Sequence, residues 1–389
     1  MEQQMHNEDE RLAARIRYAN QQALAEGRLV GSVVLVARAV ALVCAEACGD
    51  ADRERRQAMQ LTTQFRLASV SKPFTTLAAM RMIEQQKLAL SDTVSQWLPW
   101  FTPALPDGRR PAITIRQLLT HTAGLDYRFH QPPDGPYHAL GVEDGLDPSS
   151  LSLEQNLRRL SSAPLLAEPG QMFNYSLAID VLGAVLERVA GLPLPQVFEQ
   201  WVAQPLGLSN TGFSTDNAAN LATAYYNSAT GPQLMYDGIK LPIPPDFDSI
   251  VEFAPSRALD AAAYPSGGAG MVGCAQDVLA LLEALRTGGN VLRPETAELM
   301  RQPHVGPEAE VMGPGWGFGF GGALLADAQR AATPQHNGTL QWGGVYGSSW
   351  FIDPVAQLSV VALTNTAYEG MNGQYTMQIR DAVYGVNPG

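Results

Sequence analysis

The chain has 389 residues, 46% hydrophobic and 16% charged, a globular composition with more length than one compact core usually fills. Its 26 Lys+Arg against 38 Asp+Glu leave a net charge of −12, which excludes nucleic acid and anionic membrane as partners held by bulk electrostatics. No apolar run approaches the ~18 residues of a spanning helix, and the polar, acidic start from Met1 to Glu10 lacks the basic and apolar parts of an export signal, so a cytoplasmic chain is expected.

Leu12, Ile16, Ala19 and Leu24 recur at helical spacing within residues 9–27, with Gly27 as the stop. Residues 29–37 and 39–45 read as a pair of buried strands. Cys44, Cys48 and Cys274 form an odd set without metal-ligand spacing, and the first two are expected as buried small hydrophobes rather than a redox pair. Phe74, Leu77, Ala78, Met80, Met82 and Ile83 then make a helix apolar on most sides, which belongs in the middle of a protein.

Residues 88–260 read as short helices, among them 115–119 and 177–189, separated by long irregular loops. Proline-containing stretches at 131–136 and 241–245 are expected to form pocket walls or lids. A helix is predicted over 275–287, strands over 315–323, 347–353 and 358–364, and a last helix over 374–384. Strands at both chain ends point to an α/β fold with one antiparallel sheet built from residues 1–65 and 266–389. A helical, loop-rich lobe, 66–265, would be inserted between them.

The most informative stretch is Ser69-Val70-Ser71-Lys72-Pro73. Ser69 and Lys72 are three apart, so on a helix they face the same way, and proline at 73 requires a first helical turn. There the helix dipole favours negative charge on the serine oxygen. A partly desolvated lysine beside it can act as a base. The chain otherwise uses arginine, its only lysines being Lys72, Lys87 and Lys240, and arginine cannot give up its proton. Alone, the stretch fits a helix-capping Ser69 and a solvated Lys72 equally well.

Two further features sharpen it. Tyr175 in Asn174-Tyr175-Ser176-Leu177 precedes a helix, where a phenol beside a lysine could shuttle a proton and where a core aromatic is the simpler reading. Trp342-Gly343-Gly344-Val345 brings consecutive glycines to a strand, letting a ligand approach backbone N–H groups that stabilise an oxyanion.

Together, and in this order, these motifs resemble the serine β-lactamase and penicillin-binding protein superfamily, most of all its family VIII carboxylesterases, which are related to class C β-lactamases. The resemblance extends over nearly the whole chain through Leu118 to Leu125, Tyr264 to Gly270 and Gly315 to Gly319. It implies a β-lactamase-like fold with Ser69 as acylated nucleophile, Lys72 as its base or proton acceptor, and Tyr175 as the residue sharing the proton. The backbone N–H groups of Ser69 and Val345 would form the oxyanion hole. Trp342, Gly343 and Gly344 would stand at the third superfamily motif, and Tyr127 would line the pocket.

Two departures matter: Leu177 stands where lactamases and peptidases usually carry asparagine, and Trp342 where they carry a cationic or imidazole residue. Apolar replacements favour neutral, hydrophobic esters. His336-Asn337-Gly338 is the other candidate for the third motif and would return peptides to consideration. The expected function is hydrolysis of small-molecule carboxylic esters through an acyl-enzyme, without metal or cofactor, the oligomeric state being left open. β-Lactam or D-alanyl peptide cleavage, acyl transfer, and a binding protein without turnover are the alternatives. A Ser-His-Asp hydrolase is disfavoured because no Gly-x-Ser-x-Gly occurs, and His121 reads as a structural imidazole at a turn. Asp180 reads as a helix-side or supporting group rather than a catalytic acid.

Overall fold

The computed structural model describes residues 2–244 and 248–386. Its central antiparallel sheet has eight strands: β1 (Gly31–Arg38), β2 (Ala41–Asp52), β3 (Gln57–Ala58), β4 (Trp316–Phe318), β5 (Ala323–Leu325), β6 (Leu340–Gly344), β7 (Ser348–Asp353) and β8 (Leu358–Thr364), in the order β4-β5-β6-β7-β8-β1-β2-β3. The two chain ends meet where β1 pairs with β8, in the register Val34↔Ala362. One sheet built from both ends is therefore observed, with helices on each face.

The alternation of side chains along β1 decides the layers. Val34 and Val36 face a cluster completed by Leu12 and Ile16 of α1 (Glu2–Ala25) and by Tyr375 and Ile379 of the last helix, Gln374–Tyr384. Val33 and Leu35 face the larger core. That core is shared with the helix Ala275–Thr287 and with α2 (Ser71–Glu84), whose residues are buried from Ser71 to Met80. A helix apolar on most sides sits between two layers, as its composition requires. Against α2 packs α3 (Ala178–Ala190), with Ala178 to Leu186 all buried. Among the described residues no single helix is long and apolar enough to cross a membrane.

Several boundaries differ from expectation. The second strand is β2, starting after a turn in which Ala39 and Val40 adopt φ of 48° and 69°, and it is mostly half-exposed because only two residues of β3 lie beyond it. Cys44 is buried there and Cys48 only partly so. The predicted strand over 315–323 is the β4–β5 hairpin, in which Phe318 pairs with Ala323. Val345 lies not in a strand but in the turn between β6 and β7, and Trp342 stands on β6 itself. The middle of the chain contains two further hairpins, Tyr225–Ser228 with Gly231–Leu234 and Ile239–Pro242 with Ile250–Phe253. Pro245, part of the predicted proline-rich wall, lies outside the described residues.

Candidate active site

Ser69 occupies a 3-10 turn, Ala68–Val70, that runs directly into α2. Ala68 before it adopts φ 45°, a left-handed conformation that an alanine takes only when the surroundings impose it. The imposing contact is β6: a Cβ on Gly344 would meet the Leu67 carbonyl oxygen at 2.4 Å, so strand and turn are in backbone contact. Lys72 follows in the first turn of α2 and is 2% exposed.

Lys72 Nζ donates to three oxygens: Ser69 Oγ at 3.2 Å, Tyr127 OH at 2.9 Å and the Gly268 carbonyl at 2.9 Å. An ammonium has three N–H donors, so the set matches it completely. The Gly268 carbonyl is held in place because its segment is laced to α2: Thr75 Oγ1 donates to Gly267 O, and Met271 N–H donates to Ser71 Oγ. Tyr127 stacks on Phe129 with ring centroids 4.5 Å apart. Burial pushes its phenol well above the ordinary range, so it stays protonated.

Tyr175 OH is 2.6 Å from Ser69 Oγ, and Trp342 Nε1–H donates to the same phenol oxygen at 3.3 Å. The segment carrying Tyr175 is fixed by its neighbours. Asn174 N–H donates to His121 O, Asn174 Nδ2 to Leu125 O, and Ser176 N–H to His121 Nδ1. His121 is 1% exposed, and burial with Lys72 nearby pushes it well below the usual imidazole range. Neutral and accepting a backbone hydrogen bond, it is the structural imidazole expected.

These groups open on a cavity of about 200 Å³. Tyr127, Trp342 and Gly343 line it together with Ser69, Tyr175 and Val345, whereas Gly344 does not and serves the contact with Leu67 instead. Phe129 and Leu146 come from the loop-rich stretch after Tyr127, and Ile243 from just past the end of the hairpin strand Ile239–Pro242. Met312 and Met371, which also line it, carried no sequence signal. His336 is not among the lining residues; its Nδ1 is 2.7 Å from Asp353 Oδ2, in the turn before β6. Trp342, not His336, faces the nucleophile. Among the described residues no group of three or more His, Cys, Asp or Glu could hold a metal ion.

Comparison with known proteins places the fold in a family. The Beta-lactamase family matches residues 16–384. Esterase EstB of Burkholderia gladioli is 50% identical over 373 residues, covering 96% of this chain and 95% of that protein. The solved structure of EstCE1, described as a hydrolase with promiscuous acyltransferase activity, superposes with a TM-score of 0.96 at 68% identity, over 97% of this chain and 99% of that one. Monacolin J acid methylbutanoyltransferase of Aspergillus terreus is 28% identical over 78% of this chain and 77% of its own length. The chain belongs to the beta-lactamase family and, within it, stands with proteins like Esterase EstB.

Proposed function

We propose that this protein is a carboxylesterase of the family VIII type, cleaving small to medium hydrophobic esters through an acyl-enzyme on Ser69. The observation that carries the reading is the contact of Ser69 Oγ with both Lys72 Nζ and Tyr175 OH at the mouth of a largely apolar cavity. Ser69 Oγ attacks the ester carbonyl carbon and its proton passes toward the Tyr175 oxygen, with Lys72 balancing the charge. The carbonyl oxygen becomes an oxyanion held by the N–H groups of Ser69 and Val345. Collapse breaks the bond to the alcohol oxygen, which takes the proton from Tyr175. Water then repeats the attack on the acyl-Ser69 ester and frees the acid.

Leu177 and the neutral Trp342 indole place no polar arm for an amide and no cation for a substrate carboxylate at those two positions, which favours ester over β-lactam or peptide. A second reading, transfer of the acyl group to an alcohol, follows from the same intermediate and is supported by the names of EstCE1 and the methylbutanoyltransferase. Cytoplasmic residence, a small-molecule partner and the absence of nucleic-acid or membrane partners belong to this proposal too; three free thiols are in keeping with a reducing compartment. Turnover of p-nitrophenyl butyrate tests it. Replacing Ser69 by Ala should lower kcat by about 10³-fold or more, while a chromogenic cephalosporin is opened slowly at best. Near-wild-type turnover in the variant would sink the mechanism.

A further inference from the structure

Lys72 raises a problem of charge. It is buried, and the three oxygens it touches all belong to neutral groups: a serine hydroxyl, a phenol and a peptide carbonyl. A buried ammonium requires a compensating negative charge nearby. Asp180, in the first turn of α3, is 0% exposed, and neither of its carboxylate oxygens has a hydrogen-bond partner of normal geometry. A buried carboxylate that Ser266 and the Gly268 N–H satisfy only loosely is rare and calls for a reason.

Gly268 supplies the connection. A Cβ there would lie 2.5 Å from Asp180 Oδ2 and 3.3 Å from Tyr127 OH, while the Gly268 carbonyl accepts from Lys72 Nζ. The carboxylate thus lies against the peptide that holds the ammonium. Only glycine at 268 allows that approach. The other cation acting on Asp180, Arg257, is committed elsewhere: its Nη2 donates to the Tyr264 carbonyl at 2.6 Å and its guanidinium lies 4.4 Å from the centre of the Tyr264 ring. Asp180 also stands one turn along from Leu177, the position where lactamases and peptidases usually carry asparagine.

We propose that Asp180 is a positioning residue for the Ser69 reaction: the buried counter-charge that keeps Lys72 an ammonium, while the Tyr175 oxygen takes the Ser69 proton as the Tyr175 hydroxyl proton passes to the leaving alcohol oxygen. The inference deepens the esterase reading and rests on it. Asp180 touches no substrate. It acts through Lys72, whose three donors stay matched to three acceptors as long as the charge is compensated. The other titratable or charged groups facing this pair are Tyr127, Tyr175, His121, Tyr264 and Arg257, with Asp144 acting on Tyr127. Burial keeps the Tyr127 and Tyr264 phenols and the His121 imidazole neutral, so the Asp180 carboxylate is the compensating charge set beside Lys72.

The test is the pH dependence of two Ser69 reactions, kcat/KM for p-nitrophenyl butyrate and inactivation by an alkyl fluorophosphonate, in the wild type, Asp180→Asn and Asp180→Ser. Loss of the carboxylate should let Lys72 give up its proton at lower pH. The alkaline limb of both profiles should then move down by about one unit, with KM at the optimum changed less than twofold. A folded variant with both limbs unmoved overturns the proposal and leaves Asp180 a packing residue. Failure of both variants to fold makes it a residue of the fold and also overturns it. A wild type inert to ester and phosphonate alike would instead sink the esterase reading.

Discussion

The phenol of Tyr175 is where the site differs most from one relying on a second cation. Its hydroxyl donates to Ser69 Oγ at 2.6 Å, and its oxygen accepts from the Trp342 indole N–H at 3.3 Å. The indole supplies that hydrogen bond without placing a cation in the substrate's path. Trp342 thereby does two things with one side chain, its ring packing against Phe318 and its N–H holding Tyr175. Trp342→Phe keeps much of the packing and loses the donor. The expected result is a kcat for p-nitrophenyl butyrate lower by about 5–10-fold, the worth of one neutral hydrogen bond, with KM little changed. A large rise in KM at constant kcat would show instead that the indole only binds substrate.

At the scale of elements, the reactive geometry depends on how closely the end of β6 approaches the Ala68–Val70 turn. Gly344 pairs with Ser348 of β7 on one side and abuts the Leu67 carbonyl on the other, so neither neighbour can retreat freely. Gly344→Ala would place a methyl 2.4 Å from that oxygen and push the strand from the turn. The fold should survive, since overpacking costs about 1–3 kcal/mol. Separating Val345 N–H from Ser69 by even 1 Å should lower kcat/KM by about 10²-fold, measurable beside an unchanged circular dichroism spectrum. Such elements were unequally legible in the sequence. Helices with clear 3.6-residue periodicity and sharp stops, such as Gln374–Tyr384 and Ala275–Thr287, were readable to the residue, as was the strand Leu358–Thr364. The half-exposed β2 and the tight β4–β5 hairpin were not, because pairing partners distant in the chain decide them. Ser69, Lys72 and Tyr175 carried local signals. Gly268 was legible only within the Tyr264–Gly270 run and Asp180 only as a helix-side or supporting group, since their contact is one between residues far apart in sequence.

The whole molecule meets two demands that pull against each other. Its sheet closes through β1 and β8, and the outer helices are tied end to end, with Tyr375 OH donating to Asn20 Oδ1 and Arg15 Nε to the Ala382 carbonyl. Against that frame the site buries charge. Burial lifts the Asp180 carboxyl from 3.8 to about 6, with Ser266, Lys72 and Arg257 pulling it back only in part. A carboxyl whose folded pKa is raised binds protons more tightly when folded. Its ionised form therefore weakens the fold above about pH 6, and that penalty fades as pH falls to the unfolded value near 4. Asp180→Asn should consequently melt at a higher temperature than the wild type at pH 8, by about 1–3 kcal/mol of added stability. The difference should shrink steadily between pH 6 and pH 4. Calorimetry across that range checks it, on the same variant whose alkaline activity limb is expected to fall. A protein made more stable and less active over the same pH interval by one neutralised carboxylate would show the charge to be held for the reaction, not for the fold.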